Sequence, residues 1–378
     1  MIVNFDFSDD QKSLQDETHR FLRDRCDLSV ARLVLDDQQQ AYSESVWREM
    51  VELGWTGITI PEQYGGIGLG YLELCVMAEE MGRFLAPVPF SSTLYQFCEA
   101  LLNGASKTLK QEILPQVAAG KLIGTMAFAE GIGFPDPDRI GVRFKAGKLY
   151  GDKWPVADAM IAGAAVVLAV NEDNDPCLCF LDLDQEAVHR RQLESVDPSR
   201  SQGGLEFFGA EAENLTAFEG GSGKSGWQLF QRVLNAAAVL FAFEQIGGAD
   251  ACLAAATEFS RERHAFGRPI GSFQAIKHKL VDVYVANQLA RSNAYYGAWA
   301  LATGAEELPL AASVARVSAT QAYEYAASEN IQVHGGMGFT WEADCHLYLR
   351  RSRTLALLIG SSGLWKKQVT SELQRKFV

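Results

Sequence analysis

The apolar positions change period twice along the chain. From about residue 8 they recur at helical spacing, through Leu14, Phe21 and Leu22. Ser8, with Gln11 three residues later, has the pattern of a capping box and predicts a helix start. A break follows at Ile60-Pro61-Glu62-Gln63-Tyr64-Gly65-Gly66-Ile67-Gly68. No Lys-Ser/Thr pair follows its glycines, which excludes a Walker-type phosphate loop and leaves a structural turn. From 121 the period shortens, and 122–128, 139–144, 163–170 and 177–183 read as strands. Ala146-Gly147 and Asn174-Asp175 read as turns, and Gly220-Gly221-Ser222-Gly223 as a linker. Past it, Trp227, Phe230, Leu234, Ala237 and Phe241 follow the alternating three- and four-residue steps of one buried helix stripe. The Ala-rich stretch 310–327 suits a close-packed helix. The prediction is an α+β chain, mostly α: an N-terminal helical domain over 1–120, a middle β-domain over 121–222 and a C-terminal helical domain over 223–378.

Composition narrows the function classes. The formal net charge of −13 disfavours nucleic acid as a partner, because phosphate backbones call for clustered Lys and Arg. No run of eighteen apolar residues occurs, so no membrane span is expected. The start of the chain lacks the basic-then-apolar pattern of a signal peptide. Seven scattered cysteines include no CxxC pair, and Cys177 and Cys179 alternate as strand residues would. They read as core, not as metal ligands, and a reducing cytoplasm is the expected location.

Candidate chemistry concentrates at Arg263-His264-Ala265-Phe266-Gly267-Arg268-Pro269-Ile270, followed by Gly271-Ser272-Phe273-Gln274-Ala275-Ile276-Lys277-His278. A helix interior does not tolerate the Gly-x-Pro, so this is a tight helix-to-helix junction. It carries a planar guanidinium suited to phosphate oxygens, an aromatic face, and an amide that both donates and accepts. A solvated turn would carry the same residue types. Their order, however, resembles the acyl-CoA dehydrogenase family in its bacterial branch, and Ile331-Gln332-Val333-His334-Gly335-Gly336-Met337-Gly338-Phe339-Thr340 agrees. The resemblance spans nearly the whole chain. It implies the family's fold: N-terminal helices, a middle β-barrel-like domain and a C-terminal four-helix bundle. It further implies FAD as cofactor, an acyl-CoA substrate, electron-transfer flavoprotein or a similar acceptor, and a homo- or hetero-tetramer. By the same resemblance, Arg263, Phe266, Gln274, Gln332, Gly335 and Gly336 reach FAD bound mainly by a neighbouring subunit.

The departures fall elsewhere. The family's Thr-Glu-Pro-x-x-Gly-Ser-Asp, which serves a subunit's own flavin beside Phe128, reads Ala129-Glu130-Gly131-Ile132-Gly133-Phe134-Pro135-Asp136 here. Glu130 and Asp136 match, but the hydroxyl at Ala129 is lost and Pro135 has no N–H to give a phosphate. Trp154 matches the aromatic beside the flavin, whereas the Ile-Thr after it is Pro155-Val156. Removing the α-proton of an acyl-CoA needs a carboxylate within hydrogen-bond reach. One family branch places it in a C-terminal turn, which aligned through Arg350-Arg351 puts Ile359 at the base position. The other places it on the helix before the Arg-x-x-Phe-Gly motif, where this chain has Ala237. Glu244, seven residues on and roughly 10 Å away along the helix, is the alternative base, or else a buried carboxylate paired with a neighbouring Arg, His or backbone group. The family's CoA contacts near Leu234 fall at Asn235 and Ala238. The pattern resembles a base-lacking subunit of a heteromeric acyl-CoA dehydrogenase of the steroid side-chain type, completing a partner's flavin site. A self-sufficient homomeric dehydrogenase using Glu244, and a non-redox structural or ligand-binding family member, are the alternatives.

Overall fold

A computed structural model describes residues 7–37, 40–215 and 225–377. Helices come first: α1 (Asp9–Arg25), α2 (Leu28–Asp36), α3 (Glu44–Glu52), α4 (Tyr71–Arg83), α5 (Glu99–Gly104) and α6 (Lys107–Ala118). Strands follow: β1 (Gly124–Ala127), β2 (Arg143–Lys145), β3 (Lys148–Ala157), β4 (Ala164–Val170), β5 (Pro176–Asp182), β6 (Val188–Gln192), β7 (Gln202–Glu211) and β8 (Glu213–Asn214). Then come α7 (Ser225–Glu262), the small strands β9 (His264–Ala265) and β10 (Arg268–Pro269), α8 (Gln274–Thr303), α9 (Leu308–His334), α10 (Cys345–Leu357) and α11 (Ser362–Phe377). The order of element types is the helical, β, helical succession read from the periodicity. Packing divides the chain differently, into two compact units. One takes the described residues up to Leu33, Tyr71–Ala86 and those from Ala238 on; the other takes Val34–Gly70 and Pro87–Ala237 apart from the undescribed residues. The linker read at 220–223 lies outside the described residues.

In the first unit, the capping box starts α1 as expected: Gln11 N–H donates to Ser8 Oγ, and Ser8 N–H donates to Gln11 Oε1. One face of α1 then meets the carboxylates of α4. Gln11 Nε2 donates to Glu73 at 2.9 Å, Gln15 Nε2 to Glu80 at 3.2 Å, and His19 Nδ1 lies 2.8 Å from Glu80. α4 and α7 cross backbone against backbone. A Cβ on Gly82 would lie 1.7 Å from the Glu244 carbonyl oxygen, and one on Gly247 would lie 1.8 Å from that of Glu79. This approach brings an ionic cluster together around the buried Glu79. Glu79 accepts from Arg83 at 2.8 Å and from Arg291 of α8 at 2.8 Å, and Arg291 also reaches Asp250 at 2.5 Å. Burial works against the charge on Arg291, but Glu79 and Asp250 outweigh it and raise its pKa. α9 presents Ala311, Ala312, Ala315, Ala319, Ala326 and Ala327 inward, all buried, as the Ala-rich stretch foretold.

The second unit holds the sheet, in the order β6-β7-β3-β2-β4-β5-β8, with β1 paired to β4. Ala146 and Gly147, at φ 48 and 77, make the primed turn that a two-residue β2–β3 hairpin needs. Val142, Leu149, Val167, Cys179, Leu205 and Phe207 are buried in its core. Cys177 and Cys179 are both buried there, as read. The strands of this sheet absent from the sequence reading are β3, β6, β7 and the two-residue β8. β3 carries Gly151 and Pro155, β7 carries Gly203, Gly204 and Gly209, and β6 is largely polar. Each glycine or proline weakens a strand signal, and two of the glycines sit where other backbone comes close: a Cβ on Gly203 would lie 3.0 Å from the Arg191 carbonyl oxygen, and one on Gly151 3.2 Å from Val142 Cα. The Gly65-Gly66 turn is structural, since a Cβ on Gly66 would lie 2.0 Å from the Ile60 carbonyl oxygen. Within α7, Gly226–Glu262 is long and apolar enough to cross a membrane by length and composition, yet 83% of its most apolar window is buried inside the protein.

The α4–α7 crossing gives a direct expectation. Gly82→Ala forces a methyl into a backbone oxygen and should destabilise the chain by about 3 kcal/mol, the upper end of overpacking costs. Urea unfolding of the variant against wild type measures it, and an unchanged midpoint would show that the crossing can open.

Candidate functional site

The helix junction is a hairpin built on α7's last turn. The Arg263 N–H donates to the Phe259 carbonyl, and the Ile270 N–H returns to the Arg263 carbonyl at 2.8 Å. β9 and β10 pair antiparallel, with Phe266 and Gly267 at the tip at φ 55 and 78. Phe266 is 95% exposed. Its ring meets Phe273 edge-on at 6.1 Å, and the Arg268 guanidinium covers Phe273 at 4.1 Å. Arg263 and Gln274 are both exposed. The second motif ends α9: Gln332 is exposed, and Gly335 breaks the helix at φ 59 and ψ −135. A ring stack joins the two motifs, with Phe259 lying on His334 at 4.1 Å and 25°. Phe259 is the carbonyl partner of Arg263, and His334 adjoins Gly335.

The glycines here differ from those of the core. A Cβ on Gly336 would meet nothing within 4 Å, and its φ lies outside the left-handed region. Among the described residues, neither packing nor backbone conformation therefore asks for glycine at 336. Gly338, two residues on, is the contrast: its Cβ would lie 2.6 Å from the Ile331 carbonyl oxygen. Glycine at 336 leaves backbone open to a group from outside the chain. With a guanidinium, two amides and an open backbone on one unit, this face fits an anionic dinucleotide such as FAD.

The other half-site, in the second unit, does not fit. Phe128 and Ala129 follow β1 and are buried. The Ala129 carbonyl accepts from Trp154 N–H at 2.8 Å, and the Trp154 carbonyl accepts from Gly131 N–H at 2.7 Å. The loop beyond is held by Glu130, which accepts from Gly141 N–H at 2.7 Å, Val142 N–H at 3.0 Å and Lys153 Nζ at 2.6 Å. Burial raises the Glu130 pKa, but Lys153 and the two backbone donors outweigh it and hold it below the usual carboxylate value. Lys153 is fully buried, and burial lowers its pKa despite the partner. The clamped loop folds Phe134 inward, where it stacks on Phe230 at 5.9 Å and 28°. Phe128 lies 5.5 Å from Phe230 and Trp227 5.1 Å from it, so four rings share the space. The hollow left beneath the loop, about 310 Å³, is at the lower limit for a small-molecule pocket. Trp154 is covered on one side by the Arg191 guanidinium at 5.8 Å. Rings and proline thus occupy the stretch that the resemblance assigns to a subunit's own flavin.

The two positions that the resemblance assigns to the base are also closed. Ala237 and Ile359 are fully buried, and the Ile359 carbonyl accepts from Trp365 Nε1 at 3.1 Å. Glu244 is fully buried with Oε1 3.9 Å from Arg351 Nη1. Beside it, burial lowers the Arg316 pKa to about 9, with Glu244 opposing, while Arg316 donates to Gln245 at 2.6 Å. Glu244 therefore sits in a buried ionic group. Leu234, Asn235 and Ala238 are buried as well. The sequence reading missed Phe259, His334, Phe273 and the Phe134–Phe230 pair; an aromatic four residues before Arg263 and an imidazole next to Gly335 were the available signals.

Residues 8–121 match the N-terminal domain of acyl-CoA dehydrogenases, and 224–373 match their C-terminal domain. The acyl-CoA dehydrogenase IpdE2 of Mycobacterium tuberculosis is 31% identical over 335 residues, covering 88% of both proteins. A solved structure of the Tcur3481-Tcur3483 steroid acyl-CoA dehydrogenase, a G363A variant, superposes with a TM-score of 0.87 at 26% identity, covering 97% of this chain and 98% of that one. The ChsE4-ChsE5 complex from Mycobacterium tuberculosis shares the fold, with a TM-score of 0.87 at 22% identity over 98% of this chain and 99% of that one.

The Glu130 clamp should titrate. A carboxylate with a depressed folded pKa contributes stability that is present above its ordinary value of 4.5 and is lost as pH falls through the folded value. Thermal melts from about pH 6 to pH 3 should show this loss. Glu130→Gln should flatten that limb and cost about 2 kcal/mol near neutrality, as expected for hydrogen bonds to a charged group. An unchanged acid limb would place the titration elsewhere.

Proposed function

The chain belongs to the acyl-CoA dehydrogenase family, and from that premise we propose that it is the base-lacking subunit of a heteromeric, FAD-dependent acyl-CoA dehydrogenase. Its role is to complete the flavin site of a partner subunit of the same family. The asymmetry between its two faces carries the reading. The face a subunit lends is open, with exposed Arg263, Phe266, Gln274 and Gln332 and with glycine at 336 that nothing in the chain requires. The face it would keep is filled by Phe134 on Phe230.

The reaction removes a proton from Cα and a hydride from Cβ of an acyl-CoA thioester. When bound, FAD supplies the acceptor for the hydride. Ala237 and Ile359 offer no oxygen for the proton, so the base comes from the partner. The buried Glu244–Arg351 pair speaks against a displaced base in this chain. Arg263 holds the partner's cofactor by charge-assisted hydrogen bonds to its pyrophosphate, and Gln274, Gln332 and the Gly335-Gly336 backbone orient it. On α8, Val281, Tyr284, Val285 and Leu289 form an apolar stripe about half exposed, a surface suited to a second subunit. The likeness to a steroid acyl-CoA dehydrogenase directs the choice of substrate toward steroid-derived thioesters.

The purified chain alone should give no acyl-CoA turnover in a dye-coupled assay with straight, branched and steroid-derived thioesters. Robust turnover by the single chain would overturn the reading. In the complex recovered with a tagged chain from its native host, Arg263→Ala should weaken FAD retention roughly ten- to a hundredfold, the equivalent of losing about 1.5–3 kcal/mol. Gly336→Ala should leave the melting temperature of the chain alone unchanged while weakening FAD binding in the complex. Equal FAD binding by the Gly336→Ala complex would show that no outside group approaches that backbone.

A further inference from the structure

Phe259 and His334 lie outside the lent residues read from the sequence, yet they touch both motifs at once. Phe259, on the last turn of α7, accepts the Arg263 N–H through its carbonyl at 2.9 Å. Its ring lies nearly flat on the imidazole of His334, 4.1 Å between centroids and 25° between planes. His334 is the residue before Gly335, at the point where α9 breaks. Its Nδ1–H donates to the Asn330 carbonyl one turn back at 2.8 Å, which fixes the ring's orientation. Asn330 is itself buried. The imidazole is thus held from behind by α9 and pressed against α7 by its face.

We infer that the Phe259–His334 stack is a clasp that sets the spacing between Arg263 and the Gly335-Gly336 backbone, making His334 a positioning residue for the cofactor the chain lends its face to. The inference rests on the functional reading above. One dinucleotide contacted by both motifs needs the two held at a fixed separation. Gly267, Gly335 and Gly336 have no neighbour within 4 Å of a Cβ, so their own packing does not supply that restraint. The ring stack spans the two helices that carry the motifs, α7 and α9. Ring and hydrogen bond have separable roles. The hydrogen bond holds the imidazole on its own helix, and the stacked face joins the helices. A planar apolar ring at 334 should therefore keep the clasp, and a non-planar side chain should lose it.

The experiment uses the full-length chain in the complex recovered with it from its native host, with FAD as the probe. Arg263→Ala, His334→Phe, His334→Gln and Phe259→Leu are compared with wild type. The readouts are FAD dissociation constant, the fine structure of the bound flavin's absorbance, and the melting temperature of the complex. His334→Gln and Phe259→Leu should each weaken FAD about three- to tenfold, the worth of one aromatic pair, and blur the flavin spectrum. His334→Phe should restore both to wild-type values. If Arg263→Ala loses FAD while His334→Gln and Phe259→Leu hold it normally, the clasp is wrong and the functional reading survives. If His334→Phe fails as badly as His334→Gln while the complex melts normally, the imidazole and not the stack matters, which also overturns the clasp. If Arg263→Ala itself leaves FAD unchanged, the functional reading falls and the clasp with it. Phe259→Leu keeps apolar bulk at the site and decides the matter if His334→Gln prevents assembly.

Discussion

The stack of Phe134 on Phe230 is the interaction on which the functional account turns. It exists because Glu130 gathers Gly141, Val142 and Lys153 around one carboxylate and so folds the loop inward. Burying a lysine is costly unless it is paired, and Glu130 pairs it. The glutamate that matches the family motif is therefore retained here with a structural role. In the same loop Ala129 has no side-chain hydroxyl and Pro135 has no N–H to donate.

Glycine separates the two kinds of constraint in this protein. At Gly82 and Gly247 the demand is internal, because α4 and α7 touch backbone to backbone there. That crossing also seats Glu79 between Arg83 and Arg291 and so fixes α8 against α4. At Gly336 no such internal demand is seen among the described residues, since a side chain would project into open space. A residue whose identity the rest of its own chain does not explain points to whatever approaches from outside.

Periodicity made the helical blocks legible, and the Ser8–Gln11 cap, the Gly65-Gly66 turn and the Ala146-Gly147 hairpin could be placed from residue chemistry alone. β3 and β7 were hidden because Gly151, Pro155, Gly203 and Gly204 interrupt the alternation that marks a strand. Gly151 and Gly203 answer to the backbone of other segments, at Val142 and Arg191, which no local pattern records. The division into two units, which draws Tyr71–Ala86 to the residues after Ala238, was likewise invisible. It depends on helix crossings between segments far apart in sequence. At the candidate site, the helix-to-helix junction carrying Arg263 and Gln274 could be read, and so could the burial of Ala237 in its helix stripe. What fills the closed face could not be read, because Phe134 and Phe230 are nearly a hundred residues apart and meet only in the folded sheet unit. The same holds for Phe259 and His334.

The most direct test of the central claim is a flavin count. In the complex purified with this chain, flavin absorbance is compared with the amount of each subunit from quantitative amino-acid analysis of the same peak. One FAD for each pair of unlike subunits, with none on this chain when it is purified alone, is the result the account predicts. One FAD for every copy of this chain in the absence of a partner would contradict it, because the face closed by Phe134 and Phe230 would then be a working flavin site.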